Sequence, residues 1–250
     1  MKKLYNYLDK RLSIRKINPN NLLTKDDLTK IISYLNYLQP LFKDLDVSFE
    51  LVDKDKTNSK IGEYQLLIYS NKYDDNDLNY LLNIGYMIEQ LDLYLFSLNI
   101  GCCWLGLPKP KKEFKNKQYV IMLGITKISE TDLRNDISMF KRKNIDEIWE
   151  GSFNEDVMNK SILAPSACNS QSWRVKVENN ILYVYRDKNI KTIIPKGFRN
   201  FFNTIDLGIF MCFLEIAMIY NDIKFERIIN NTIVPKNNFV LIAQYNIINE

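Results

Sequence analysis

The chain has 250 residues, 46% of them hydrophobic and 26% charged, a balance typical of a soluble globular protein with one large core or two modest ones. Its 34 basic and 30 acidic residues give a net charge of +4, which is too weak and too mixed to indicate nucleic-acid binding. The sequence contains no histidine, which excludes Ser-His and Cys-His catalysis and His-ligated metal sites. Any chemistry therefore needs another proton donor or a cofactor that carries the reaction.

The cysteines and the apolar runs of the sequence indicate the cellular compartment. The four cysteines include no Cys-x-x-Cys pair, which is typical of buried thiols in a reducing compartment. The first residues lack the apolar core of a signal peptide, and the longest apolar runs, 91–98 and 205–219, are interrupted by acidic or amide residues. We expect a cytoplasmic protein with neither a membrane nor a nucleic-acid partner.

The first half of the chain predicts helices and strands in alternation. Thr24 has the chemistry of an N-cap, and Gly101 fits a helix C-cap with positive φ. The predicted elements are a helix over Leu4 to Leu12, a helix from Thr24 to about Leu38, strands over Val47–Val52 and Gln65–Ser70, a long apolar helix from about Leu78 to Leu98 capped by Asp74–Asp77, and a strand over Tyr119–Thr126.

The second half repeats this order of elements without an exact sequence repeat. The predicted elements are a short helix over Asn154–Leu163, a hairpin of Trp173–Val177 and Ile181–Arg186 across Glu178-Asn179-Asn180, an irregular lid-like loop over Ile190–Asn200, an apolar helix from Thr204 to about Tyr220, and a final hairpin of Lys224–Ile229 and Asn238–Tyr245.

One loop, Ala164–Arg174, has an unusual run of small and amide residues closing on Trp173. Pro165 ends the preceding helix, and the small residues after it leave the backbone open to close approach. Asn169 and Gln171 offer donors and acceptors that suit the edge of a flat heteroaromatic ligand. The alternative, a helix-capping loop before a strand, is what composition alone favours.

Three other segments carry candidate binding residues. Arg11, Ser13 and Arg15 suit a phosphate, but charge alone fits equally well the solvated basic end of a helix. The segment 99–106 ends in Gly106, which permits close approach of a ligand to the backbone, while the Cys103 and Trp104 side chains are predicted to pack in the core. The basic run 141–143 is typical, taken alone, of a solvated surface.

Together these segments resemble the FMN-dependent nitroreductase superfamily. The loop 164–173 resembles its A-P-S-x-x-N-x-Q-P-W motif, with Ser172 in place of proline. Residues 11–17 are similar to its R-R-S-x-R-x-F segment, with Leu12 and Ile17 as departures. Residues 98–106 resemble L-G-L-G-x-C-W-L-G, with Asn99 replacing the first glycine, and 205–209 resemble the I-D-x-G-I segment of single-chain members.

The resemblance implies an α+β, nitroreductase-like fold of mixed β-sheets flanked by helices. Ordinary members are intertwined dimers whose flavin loop directly follows the first long helix. Here Gln39-Pro40-Leu41 follows that helix and the flavin loop lies in the second half. We therefore expect two similar lobes, 1–150 and 151–250, folded as a pseudo-dimer with one flavin site made from both.

The same resemblance implies a set of cofactor-binding residues. It assigns the phosphate to Arg11 and Ser13, and the N1 and O2 edge of the flavin to Arg15. It assigns the N5 region to the amides of Leu105 and Gly106, and the ring and ribityl chain to the 164–173 loop. The implied residues are Arg11, Leu12, Ser13, Arg15, Cys103, Trp104, Leu105, Gly106, Arg142, Lys143, Pro165, Ser166, Ala167, Asn169 and Gln171.

The implied activity is hydride transfer from NADH or NADPH, through the N5 atom of FMN, to a small electron-poor acceptor such as a nitroaromatic or a quinone in a ping-pong cycle. No catalytic side chain and no metal is required, and the expected assembly is a monomeric pseudo-dimer or a loose homodimer. The alternatives are same-fold chemistry such as reductive dehalogenation or flavin fragmentation, flavin binding without turnover, and a degenerate scaffold with an empty site.

Overall fold

The computed structural model describes residues 1–71, 78–112, 117–134, 136–229 and 238–248. The predicted cap Asp74–Asp77 lies outside these ranges. Short 3-10 turns connect the main elements. The helices and strands are α1 (Lys25–Tyr34), β1 (Val47–Asp53), β2 (Tyr64–Ser70), α2 (Asn79–Phe96), β3 (Ile100–Leu105), β4 (Gln118–Lys127), α3 (Ile145–Ile148), β5 (Trp149–Glu150), α4 (Glu155–Ser161), β6 (Trp173–Glu178), β7 (Ile181–Asp187), α5 (Lys196–Tyr220), β8 (Phe225–Ile229) and β9 (Phe239–Ile247).

Two antiparallel sheets repeat one topology within the described residues. The first has the order β1-β2-β4-β3, and four strands of the second have the matching order β6-β7-β9-β8. A register shift interrupts the β2–β4 ladder after Ile68, and another interrupts the β7–β9 ladder after Val184. The second sheet also carries β5, paired in parallel with β6, so residues 149–150 join the sheet of the second half.

The central helices α2 and α5 cross at a pair of glycines. A Cβ on Gly85 would lie 2.1 Å from the Ile205 carbonyl oxygen, and a Cβ on Gly208 would lie 2.1 Å from the Leu82 carbonyl oxygen. The contact is reciprocal, since each glycine touches the carbonyl three residues before the other. Such a self-complementary contact is what a two-fold axis produces.

Both central helices lie in the core. Nearly every residue from Leu81 to Phe96 and from Asn203 to Met218 is buried. Among the described residues, α5 alone is long and apolar enough to cross a membrane, but 89% of its most apolar stretch is buried within the protein. Its composition is that of a core helix.

Most predicted elements are confirmed, including the α+β class. Thr24 and Asp27 form a reciprocal capping box at the start of α1. Asn179 and Asn180 take positive φ in the turn between β6 and β7, and the final hairpin of β8 and β9 is present. These predictions were based on the polar residues at turns and on the periodic spacing of the apolar residues.

Three predictions near the candidate site were wrong. The helix over Leu4 to Leu12 is a short 3-10 helix, Lys2–Tyr7, because the chain then turns to run beside β3, where Ser13 bridges Cys102. The α5 helix begins at Lys196, so the second part of the predicted loop Ile190–Asn200 is helical.

The third error concerns Gly101, which is not a C-cap with positive φ. Asn99 has the positive φ instead, at 55°, a backbone conformation that asparagine adopts more readily than most residues do. Gly101 lies within β3, where an added Cβ would meet Ile14 Cγ1 at 2.4 Å. The glycine is thus required by the close approach of the N-terminal segment.

Candidate functional site

A cavity of about 130 Å³ lies between the two halves of the chain. The N-terminal segment, the end of β3, the loop after α4 and the first turns of α5 surround it. Eight of the predicted site residues line it: Arg11, Ser13, Arg15, Trp104, Gly106, Pro165, Ser166 and Ala167. Cys168, Phe202, Ile205, Asp206, Ile209 and Ile121 complete the lining.

Arg11 supplies a buried positive charge to one wall. Its Nε and Nη2 donate to Asp92 Oδ2 at 3.0 and 2.8 Å, and Glu89 Oε1 lies 3.7 Å from Nε. Burial disfavours the charged guanidinium, but the Asp92 and Glu89 carboxylates outweigh it and raise the pKa of Arg11. The third nitrogen, Nη1, is 3.4 Å from Ser13 Oγ, so only this nitrogen is left for a ligand.

Arg15 is the cation with capacity to bind an anion. Its side chain is exposed at the cavity, and within the described residues it forms no ion pair with a carboxylate. Its place is fixed by the backbone, because Ile14 N donates to Cys102 O at 2.9 Å and Ser13 forms the parallel bridge to β3. The pairing with β3 therefore holds this segment at the cavity.

Alternate residues of β3 face opposite sides of the sheet. Trp104 lines the cavity, and its Nε1 donates to Glu89 Oε2 at 3.1 Å. Cys103 and Leu105 instead enter a separate apolar cluster, so the core role predicted for the Cys103 side chain agrees with its position. Burial raises the pKa of the Cys103 thiol.

Phe202 closes the cavity over the end of β3. A Cβ on Gly106 would lie 2.2 Å from Phe202 Cε1, so the ring rests directly on the glycine backbone. Phe202 also packs edge-on against Phe201, with ring centroids 5.1 Å apart. The absence of a side chain at Gly106 thus makes room for this ring.

The loop after α4 has an unusual backbone. Cys168, Asn169 and Gln171 all have positive φ, at 50°, 53° and 50°. A positive φ is uncommon in residues other than glycine, and clusters of such residues are typical of functional sites. Asp206 Oδ1 on α5 accepts from Ala167 N at 2.9 Å and Ser166 Oγ accepts from Gln171 N at 3.0 Å, and these bonds hold the loop.

Seven predicted site residues do not line the cavity. Asn169 Oδ1 accepts from Arg142 Nη1 at 2.9 Å, and Gln171 Oε1 accepts from Lys143 N at 2.8 Å. These amides fasten the basic segment 141–143 to the loop, and their assignment to a ligand stays a prediction. The residues outside the lining are Leu12, Cys103, Leu105, Arg142, Lys143, Asn169 and Gln171.

An arginine cluster lies beside the site. Arg134 and Arg142 lie on the ring of Phe140, with their guanidinium carbons 3.9 and 5.4 Å from its centroid. Burial, together with the charges of Arg11 and Arg134, lowers the pKa of Arg142 to about 10. Within the described residues neither Arg134 nor Arg142 pairs with a carboxylate. The Arg142 guanidinium instead donates to the Leu163 and Lys141 carbonyls and to Asn169 Oδ1.

The sequence interpretation gave no site role to Arg134, Phe202 or Asp206, although it noted the 205–209 motif that contains Asp206. A signal for Asp206 was present, because the run Ile205-Asp206-Leu207-Gly208 matches Leu82-Asn83-Ile84-Gly85 in type at each position. Comparison of these two runs identifies the register in which α2 and α5 correspond. Arg134 and Phe202 have no comparable sequence signal.

Comparison with known proteins gives a family and a fold. The family model described as "Putative TM nitroreductase" matches residues 3–218. The crystal structure of a putative nitroreductase from Thermotoga maritima MSB8 is similar, with a TM-score of 0.60 and 18% identity over 96% of this chain and 93% of that chain. A comparison with curated proteins gives no significant match.

Two further solved structures align with part of the chain. A nitroreductase family protein from Clostridium novyi NT has a TM-score of 0.40 and 17% identity over 54% of this chain and 89% of its own. A nitroreductase-like family protein from Bacillus cereus has a TM-score of 0.42 and 12% identity over 58% of this chain and 92% of its own.

The nitroreductase-like α+β fold predicted from the motifs is therefore confirmed. Since the family model spans most of the sequence, membership indicates a general oxidoreductase role. The chain belongs to the family described as "Putative TM nitroreductase".

Proposed function

We propose that this chain is an FMN-dependent oxidoreductase that binds the flavin in the cavity between its halves. The observation that carries the proposal is the convergence of the Arg11–Arg15 segment, the end of β3 and the Pro165–Cys168 loop on one cavity. These three segments are far apart in the sequence, and each resembles a flavin-binding segment of the superfamily.

The chemistry of the lining fits a flavin. Ser13, Arg15 and Nη1 of Arg11 offer donors for an anionic or carbonyl-bearing group, while Trp104, Pro165 and Phe202 offer flat apolar contact. A flavin would fit only after the lining moves, because the cavity volume of 130 Å³ is below the roughly 300–1,000 Å³ usual for ligand pockets. Rotation of the Phe202 ring away from Gly106 would enlarge the cavity.

The arginines take distinct roles in this proposal. Arg15 would hold the phosphate, because it lines the cavity and has no carboxylate partner within the described residues. Arg11 would act mainly as a fixed charge, since two of its nitrogens bind Asp92. This differs from the sequence-based assignment, which gave the phosphate to Arg11 and Ser13 and the N1 and O2 edge of the flavin to Arg15.

When bound, FMN would supply hydride chemistry between NADH or NADPH and an electron-poor acceptor such as a nitroaromatic or a quinone. The positive charges of Arg11 and Arg15 would stabilise negative charge that develops in the cavity. The Trp104 and Phe202 rings would exclude water. This chain needs no further side chain to bring about the electron transfer itself.

The absorbance spectrum of the purified protein, before and after a nicotinamide donor is added without oxygen, tests the proposal. We expect a flavin spectrum that bleaches with NADH or NADPH and recovers with a quinone. A colourless protein that does not take up added FMN would overturn it. A flavin spectrum that neither donor bleaches would indicate binding without turnover.

Arg15→Ala tests the position of the phosphate, with Lys16→Ala as a matched control that removes the same charge from the next, exposed residue. We expect FMN affinity to fall by at least tenfold in Arg15→Ala, consistent with loss of a charge-assisted hydrogen bond. Lys16→Ala should bind like the wild type. Equal affinities in both variants would contradict the assignment.

We also propose that the chain is its own pseudo-dimer. The matching sheet orders and the reciprocal Gly85–Gly208 contact support this, with β5 belonging to the second lobe. The proposal predicts a mass near 29.6 kDa by light scattering. A stable dimer would instead indicate that further association occurs. We propose a cytoplasmic location on the basis of the cysteine usage.

A further inference from the structure

Two equivalent positions on the central helices carry different side chains. Asn83 lies two residues before Gly85 on α2, and Asp206 lies two residues before Gly208 on α5. Because these glycines occupy the same place in the reciprocal crossing, Asn83 and Asp206 are counterparts in the duplicated fold.

The two side chains make the same type of hydrogen bond. Asn83 Oδ1 accepts from the backbone N–H of Leu41 at 2.7 Å and of Phe42 at 3.2 Å. Asp206 Oδ1 accepts from Ala167 N at 2.9 Å. Each oxygen thus fastens the loop that precedes the first strand of a matching four-stranded set, β1 in one half and β6 in the other. An amide performs this task as well as an acid does.

The positions differ in their surroundings. Asp206 lines the cavity, whereas Asn83 is not among its lining residues. Asp206 is 3% exposed, and among the residues that the structure describes its second oxygen, Oδ2, accepts a hydrogen bond only from the Ser170 hydroxyl, at 3.3 Å. The cavity therefore contains an ionisable side chain at a position where an amide would hold the loop equally well.

The charged groups around Asp206 leave it without an ion pair in the described part of the chain. Arg11 and Arg15 line the same cavity from the N-terminal segment, and Arg11 is bound to Asp92 and Glu89 of α2. From β7, Arg186 binds Thr204 Oγ1 on the same helix as Asp206. Burial raises the pKa of Asp206 to about 7, and its bonds to Ala167 and Ser170 only partly oppose this.

We propose that Asp206 is the proton donor of the cavity, giving a proton to the acceptor that is reduced there. The inference rests on the proposed oxidoreductase function. A quinone that receives a hydride also needs one proton to leave as a hydroquinone. The Asp206 carboxyl donates that proton by breaking its O–H bond, and the carboxylate left behind regains a proton from solvent.

The test compares the wild type with Asp206→Asn and Asp206→Ala in quinone reduction between pH 5 and 9. Asp206→Asn keeps an oxygen for Ala167 N, as Asn83 does for its own loop, but it has no proton to give. We expect wild-type kcat to fall as pH rises through about 7, which is the pKa of Asp206. Asp206→Asn should be about 10²-fold slower or more, with no such pH dependence.

The alanine variant separates proton donation from loop positioning. It loses the hydrogen bond to Ala167, so its affinity for FMN should fall, while Asp206→Asn should bind FMN like the wild type. Wild-type kcat and pH dependence in Asp206→Asn would overturn the inference while leaving the proposed function intact. Absence of FMN binding and turnover in the wild type would overturn both.

A second readout uses no cofactor and no acceptor. Because the folded pKa of Asp206 is raised, the wild type should lose stability relative to Asp206→Asn as pH rises from about 4 to about 7. Urea unfolding of both cofactor-free proteins across this range measures the difference. A constant difference would show that Asp206 does not exchange a proton in this range, and would overturn the inference.

Discussion

The glycine crossing of the central helices gives the sharpest prediction for the fold. In Gly208→Ala the new Cβ would lie 2.1 Å from the Leu82 carbonyl oxygen and 2.8 Å from Tyr86 N. Both are backbone atoms of α2, so no side-chain rotation relieves the overlap. The helices must separate by about 1 Å, in a core packed as densely as an organic crystal.

The expected cost follows from these distances. Overpacking a core costs about 1–3 kcal/mol or more, and a backbone overlap on this scale belongs at the upper end. Alanine regains about 1 kcal/mol of helix propensity, so we expect a net loss of about 2 kcal/mol in the free energy of unfolding. For a chain of this size the thermal midpoint should fall by roughly 4–8 °C.

Gly197→Ala is the matched control, because Gly197 lies in the first turn of the same helix with nothing within 4 Å of an added Cβ. It should leave stability unchanged or raise it by up to about 1 kcal/mol. Urea and thermal unfolding followed by circular dichroism measure both variants. If Gly208→Ala is as stable as Gly197→Ala, the helices do not cross as described and the reciprocal contact is refuted.

Four further predictions follow from individual contacts. Glu215→Ala removes the acceptor of one arginine and two tyrosine hydroxyls, so urea unfolding should show a loss of about 3–5 kcal/mol. Asn99→Ala should lose about 1 kcal/mol at its positive φ, whereas Asn99→Gly should not; equal losses would contradict the assignment. Phe202→Ala should speed FMN association in stopped-flow mixing, whereas Phe198→Ala, which alters an exposed ring nearby, should not. Ionisation of Asp206 should lower wild-type stability between pH 4 and 7 by up to about 4 kcal/mol, and a flat pH–stability profile would refute this.

The sequence predicted the elements whose signals are local. The capping box at Thr24 and the asparagine turn between β6 and β7 depend on residues that are adjacent in the chain. The strand β3 was missed because it follows α2 after only three residues, and its apolar pattern continues that of the helix. The early start of α5 was missed because Pro195 and Gly197 lie close together, a pattern typical of a loop.

The site was less predictable, because its contacts join distant parts of the chain. The segment around Arg11 was found by its motif, but its pairing with Asp92 depends on the packing of α2. The amides of Asn169 and Gln171 have the chemistry to bind a ligand, yet they bind the segment 141–143. Sequence identifies which groups are able to bind, whereas the fold decides which partner they meet.

In the proposed pseudo-dimer, duplication within one chain would explain why the two halves need not be equivalent. In a symmetric homodimer, any residue that serves one site occurs in the other as well. Here Asp92 and Glu215 each lie seven residues after a crossing glycine, and each binds an arginine. Asp92 holds Arg11 at the cavity, whereas Glu215 binds Arg227 together with two tyrosines and ties the second sheet to both helices. The same contrast separates Asp206 from Asn83, and under the proposed function it would leave one lobe interface to chemistry and the other to stability.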